Sequence, residues 1–146
     1  TRVLYGLPES VSPSGLEQRG FANFSGELTL RNSVFVEGGF DKAVLRVVNP
    51  KAAAIPVRVN GQETGVIVSA PYELDITGKL RPGENKIEIT LATTLQNLLG
   101  PLHNSRIDPY SVGPGDYNDK DNWTDEPNLV PVGFDRAEIE LYKAEK

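Results

Sequence analysis

The chain of 146 residues carries 15 Lys and Arg against 20 Asp and Glu, a formal net charge of -5, and has neither cysteine nor methionine. That acidic balance argues against nucleic-acid backbones as partners, which need clustered Lys and Arg, and apolar runs as short as Val66-Ile67-Val68 cannot span a bilayer. Without cysteine, disulfides, thiolate zinc sites and thiol nucleophiles are excluded. Residue 1 is Thr and no charged-then-apolar leader follows it, so a processed chain or a piece of a longer one is expected. Residues 1–20 are set apart as an extension or the tail of a preceding segment.

From residue 21 onward, short stretches alternate apolar and polar side chains between Gly and Pro punctuation. In Glu27-Leu28-Thr29-Leu30-Arg31 the two leucines share one face of a strand. Ala43, Leu45 and Val47 do the same in the next stretch, with Arg46 opposite. Val57-Arg58-Val59 runs into Asn60-Gly61, whose readiness for positive φ makes it the strongest short hairpin signal in the chain. The return strand is Gln62 to Val68, with Gly65 marking a bulge. Tyr72, Leu74 and Ile76 are expected to face inward, and Arg81-Pro82-Gly83-Glu84-Asn85 reads as a turn. Lys86 to Leu91 is the cleanest strand, and Ala137, Ile139 and Leu141 alternate near the C-terminus. Leu95, Leu98 and Leu99 sit at helical spacing, but Gly100-Pro101 stops any helix within about two turns.

Seven or eight short strands with tight turns and no long helix predict an all-β, antiparallel, jelly-roll-like β-sandwich. One domain over 21–146 is expected, with residues 100–131 as a long irregular loop. Connections of roughly 30 residues without regular structure are usually functional or disordered.

This loop concentrates the candidate chemistry. Sugars stack C–H faces on aromatic rings while Asp and Asn bond their hydroxyls, so an aromatic loop rich in Asp and Asn has the composition of a carbohydrate site. Trp123, Tyr117 and Tyr110 are the stacking candidates, and His103, Asn104, Asp116, Asn118 and Asp121 the polar ones. The alternative has Trp123 folding back over the sandwich or packing on a neighbouring domain, and His103 bonding loop backbone. A His-based triad lacks a nucleophile-elbow motif beside the lone histidine. Glu73 with Asp75, and Glu138 with Glu140, fall on outer strand faces where solvated surface is the default. Asp116, Asn118, Asp119 and Asp121 form the densest oxygen-ligand cluster, yet Lys120 at the fifth place and no Gly at the sixth exclude an EF-hand.

Four stretches carry a resemblance over about Phe21 to Tyr142. They are Phe24-Ser25-Gly26, then Val57-Arg58-Val59-Asn60-Gly61 with Gly65, then Pro71 to Thr77 with Leu80 and Pro82-Gly83-Glu84-Asn85, and finally Thr94 to His103. Together they resemble the galactose-binding-like β-sandwich modules attached to glycoside hydrolases, of the family 2 sugar-binding type. The resemblance implies a non-catalytic carbohydrate-binding or accessory module, with saccharide or the catalytic domain of a parent hydrolase as partner. It also implies an extracellular or periplasmic location and a structural Ca²⁺ as the one cofactor to test for. A purely structural packing module and a small stand-alone hydrolase are the alternatives.

Overall fold

The structure is a computed structural model, and it describes residues 9–106 and 111–143. Among the described residues seven strands occur in chain order: β1 (Glu27–Val36), β2 (Lys42–Val48), β3 (Ile55–Val59), β4 (Gln62–Ile67), β5 (Glu73–Asp75), β6 (Gly83–Ala92) and β7 (Arg136–Tyr142). They make a four-stranded sheet in the order β1-β6-β3-β4 and a three-stranded sheet in the order β5-β2-β7. Every pair is antiparallel. The chain is therefore an antiparallel β-sandwich, as its period-two pattern predicts.

The interlayer core follows from that alternation. Ala43, Leu45 and Val47 from β2 meet Val57 and Val59 from β3 and Ile87, Ile89 and Leu91 from β6. Leu28 and Leu30 pack against this cluster from β1. Asn60 (φ 53) and Gly61 (φ 77) make the left-handed two-residue turn between β3 and β4. The register shift falls between Val57 and Arg58, so the extra residue opposite them is Thr64, beside Gly65.

One inward expectation needs correction. Tyr72 is 38% exposed, because it precedes a three-residue edge strand at the rim. Ala137 and Leu141 are exposed as well, although they share a face with partly buried Ile139. Their strand is the outer one of its sheet, and alternation dictates a facing direction without supplying a layer to cover it. Conversely β1 and β6 are each ten residues long, longer than the apolar alternation marks, since each completes the other's ladder from Glu27↔Ala92 to Val36↔Gly83.

Residues 9–20 wrap the end of the sandwich. Leu16 is fully buried in the core cluster, and its N–H donates to Val132 O at 3.0 Å. The buried Glu17 carboxylate accepts from Val132 N at 2.9 Å. Gly133, at φ 131, lets the chain pass so close that an added Cβ would lie 2.1 Å from Pro13 O.

A pair of bonded side-chain amides, half-buried Asn60 and buried Asn85, joins the β3–β4 turn to the start of β6. Asn85 is fully buried, with Oδ1 accepting from Arg81 N (3.0 Å) and Asn60 Nδ2 (2.9 Å). Its Nδ2 donates to Arg81 O (2.7 Å) and Gly83 O (3.0 Å). Asn60 completes the set by donating to Lys79 O and accepting from Lys86 N, each at 3.0 Å. Removing one partner of such a network leaves buried groups unsatisfied at about 1–3 kcal/mol each. Asn85→Ala should therefore lower the urea-unfolding free energy by at least about 2 kcal/mol. Asn60→Ala combined with it should cost clearly less than the sum of the two singles. Additive losses in that double-mutant cycle would show that the pair does not act as a unit.

Candidate functional site

Beyond β6 the chain makes one helical turn, α1 (Gln96–Leu99), and leaves the sheet. Asn97 within it is buried and clamps the two ends of the excursion: Nδ2 donates to Val130 O and Oδ1 accepts from Val130 N, both at 2.8 Å. The neighbouring Leu95, Leu98 and Leu99 are left exposed on this turn.

A second tie lies further out. The segments around 103–105 and 122–124 pair antiparallel, through Thr124 N to His103 O (2.9 Å) and Ser105 N to Asn122 O (2.8 Å), with Asn104 opposite Trp123. Because a carbonyl only accepts, His103 Nδ1 carries the proton it shares with Thr124 O at 2.9 Å, leaving Nε2 outside that bond. The His103 ring stacks on the Trp123 indole, centroids 4.9 Å apart and planes 13° off parallel. Trp123 Nε1 donates to Asp125 Oδ1 at 3.3 Å, while the side chain keeps 51% of its surface exposed. The result is an aromatic ledge with an amphipathic edge, held by backbone bonds on both sides.

The other sequence-chosen residues divide between ledge and scaffold. Asn104 is buried, with Nδ2 on Asp116 O (3.2 Å) and Oδ1 accepting from Arg106 N (3.0 Å), so its amide is committed to loop structure. Asp116 accepts from Gly113 N at 2.7 Å, stabilising the 3₁₀ turn Pro114–Tyr117. Tyr117 donates to Leu99 O at 2.5 Å, which ties it to α1 with its ring half-exposed. Asn118 and Asp121 are exposed. Tyr110 lies outside the described residues. Asp125, which orients the indole, went unnoticed in the sequence, where the Trp-Thr-Asp spacing is its only signal.

The oxygen cluster is not arranged for a divalent cation. Asp119 Oδ1 accepts from Asp121 N (3.2 Å) and Oδ2 from Asn122 Nδ2 (2.7 Å), and Asp116 faces Gly113 N. Among the described residues no three acidic or histidine side chains converge, and Ca²⁺ wants six to eight oxygens. The Ca²⁺ that the resemblance implies does not fit these four residues. Carboxylates from two strands do meet elsewhere, at Arg46, which bonds Glu73 at 2.8 Å and Glu140 at 3.0 Å on the outer face of the three-stranded sheet. Glu140 first, then Glu73, raises the guanidinium pKa. This is a cross-strand ion ladder of the kind exposed sheet faces carry.

Fold and site define a class: a β-sandwich module with one anchored, aromatic loop. It resembles the galactose-binding-like accessory modules of family 2 type glycoside hydrolases, and comparison with known proteins leads to the same group. No protein-family model matches the chain. A curated protein of Formosa agariphila with the provisional name beta-glucuronidase is 29% identical over 94 residues, 62% of this chain and 8% of that protein. The solved rhamnosidase of Novosphingobium sp. PP1Y is 27% identical at a TM-score of 0.57, over 80% of this chain and 11% of its own. The Bifidobacterium dentium beta-glucuronidase superposes at 0.59 over 99% of this chain and 26% of its own; at 20% identity it shows the fold alone. The chain thus corresponds to a small part of each of these hydrolases. Among the described residues no helix is long and apolar enough to cross a membrane.

The ledge's support has a pH signature. The Asn122 side-chain amide, with smaller help from the N–H groups of Asp121 and Asn122, holds the Asp119 carboxyl below the usual carboxylate range. A depressed folded-state pKa stabilises above the unfolded value and is lost only as pH falls through the folded one. A carboxyl-carbon NMR titration should therefore place the Asp119 midpoint below the ordinary Asp value of about 3.9. A midpoint at the ordinary value would remove this bond from the account of the loop.

Proposed function

We propose that this chain is a non-catalytic accessory module of a longer glycoside hydrolase, acting outside the cytoplasm, and that its ledge contacts saccharide. The observation that carries the reading is Trp123, half-exposed yet backed by His103 and oriented through Asp125. A stacking platform needs one accessible ring face and a fixed orientation, and an indole whose tilt is set before binding loses little entropy when a sugar ring lies on it. Asn118 and Asp121, both exposed, are the nearby candidates for bonding hydroxyls. The hydrolytic carboxylates would belong to another part of the parent polypeptide. The sequence likeness to a rhamnosidase and to a protein named as a beta-glucuronidase supports this setting.

One observation favours a second reading. Leu95, Leu98 and Leu99 crowd a single turn with 60%, 48% and 60% of their surfaces exposed, and exposed apolar patches commonly mark docking surfaces. In that reading α1 and Tyr117 pack on the parent's catalytic domain and no sugar is held.

Affinity electrophoresis through gels containing plant and bacterial polysaccharides separates the two. Retardation should appear with at least one polysaccharide and weaken about tenfold or more in Trp123→Ala, a change of ~1.4 kcal/mol. The melting temperature of that variant should stay within about 2 °C of the unaltered chain, since a half-exposed side chain contributes little to the core. Equal mobility of both proteins in every gel, with Leu98→Asp and Leu99→Asp removing association with the catalytic domain, would select the docking reading instead.

A further inference from the structure

The outer strands of the two sheets differ in how their free edges are protected. β4 is broken by the bulge at Thr64, β5 has three residues, and β7 carries a charge at three of its seven positions. β1 is the least protected. It runs ten residues without Pro, Lys or bulge, in one unbroken register on β6, and beyond Glu27 its one charge is Arg31. Such an edge is a ready template for another strand.

Alternate residues of an antiparallel strand turn their N–H and C=O groups to opposite sides. Thr93 N donates to Gly26 O on the β6 side at 2.9 Å, so the odd-numbered residues from Glu27 to Phe35 present theirs to the free edge. Among the described residues no strand pairs there, and Ser33 N is capped locally, donating to Asn32 Oδ1 at 2.9 Å. The side chains are uncovered too. Leu28, Leu30 and Val34 line the open groove between the sheets, Asn32 in the same row is exposed, and on the outer face Phe35 keeps 78% of its surface.

A second copy fits this edge in one register. Strands related by a two-fold axis pair antiparallel, and with the axis at Asn32 the inward row sets Leu28 against Val36, Leu30 against Val34 and Asn32 against Asn32 of the other copy. Apolar side chains then meet apolar ones, and the two amides, with Cα atoms about 4.5 Å apart, are placed to bond each other. On the outer face Phe35 covers Thr29, an aromatic and β-branched pair, while Arg31 faces Ser33. A slip of one residue would turn the apolar row of one copy to the outer face of the other. A slip of two would set Asn32 against Leu30 or Val34, leaving a covered amide unpaired, and in one direction would also bring Arg31 onto Arg31. The one like-charge approach, Glu27 with Glu37 of the other copy, falls beyond each end of the ladder, where solvent screens it.

We propose that this chain self-associates through β1, as a two-fold dimer in which two four-stranded sheets join into one of eight strands about an axis at Asn32. The inward rows of the two copies then form one apolar strip, interrupted only by the amide pair. The contact is independent of the loop and of any ligand there.

Sedimentation velocity of the unaltered chain, over a range on the order of 1 to 500 μM, should show the weight-average mass climbing from 15.9 kDa toward twice that value. Asn32→Asp and Asn32→Lys each place like charges on the axis and should raise the dimer dissociation constant at least about tenfold. Because Asn32 is exposed, both variants should keep the circular dichroism spectrum of the unaltered chain. An equimolar mixture of the two should restore association, since opposite charges then meet, an outcome that a contact elsewhere on the molecule would not give. A chain that stays at 15.9 kDa at the top of that range overturns the proposal. So does a dimer that both Asn32 variants leave intact, or whose loss in them the mixture does not reverse. A dimer that Leu98→Asp dissolves while Asn32→Asp does not overturns it too, and would place the self-contact on α1.

Discussion

The constraint on which the rest of this structure depends is the hydrogen-bonded pair of half-buried Asn60 and buried Asn85. Asn60 closes the β3–β4 hairpin and Asn85 is the third residue of β6, just after the bend at Pro82, so their bond locks a local turn to a distant strand. Asn60 also makes two bonds with Lys86, through Lys86 N to its Oδ1 and its own N–H to Lys86 O. These contacts fix the β3–β6 register at one end. β6 in turn pairs with β1 along ten residues. A slip of one residue would turn Ile87, Ile89 and Leu91 to solvent and leave two amides without partners. Apolar burial favours any register that keeps the greasy face inside, and this polar pair narrows the choice to one.

That division explains what the sequence makes legible. Alternation is local, so β2, the β3–β4 hairpin and the centre of β6 can be located from their own residues, as can the turn that Asn60 and Gly61 make. Strand length is not local: Asn32 and Ser33 interrupt the apolar pattern of β1, yet the strand continues to Val36 because β6 offers it partners. Coverage is not local either. Ala137 and Leu141 have the pattern of core residues and face a side that β1 does not close.

The loop shows the same boundary in its chemistry. Composition singles out Trp123, and an exposed indole is what the structure presents. Composition equally singles out Asn104 and Asp116, but a side-chain amide or carboxylate can serve a ligand or the backbone, and only the fold decides which. Asn104 is buried against Asp116 O and Arg106 N, and Asp116 is turned to Gly113 N. The stacking of His103 on Trp123 joins residues twenty positions apart through a short ladder that no local pattern announces. Asp119, Asp121 and Asn122 resemble a metal loop in composition because Asx residues that bond neighbouring N–H groups are also what irregular turns require.

The two ties within the loop bear on what its exposed ring can do. Closing a free loop costs entropy that grows with the logarithm of its length, about 0.6 kcal/mol per doubling. The larger burden is holding any one conformation among many. Asn97 joins the base of the excursion to Val130, and the 103–105 ladder with 122–124 joins its middle, so Trp123 sits at the end of a short, twice-anchored piece. Asn128 adds a third bond, from its Nδ2 to Asn104 O at 3.0 Å. The ordering cost of the ledge is met in folding, by buried amides that touch nothing outside the chain. Whatever meets the indole, a sugar ring or a neighbouring domain, then finds a surface whose shape is already set, and the contact free energy need not be spent on arranging it.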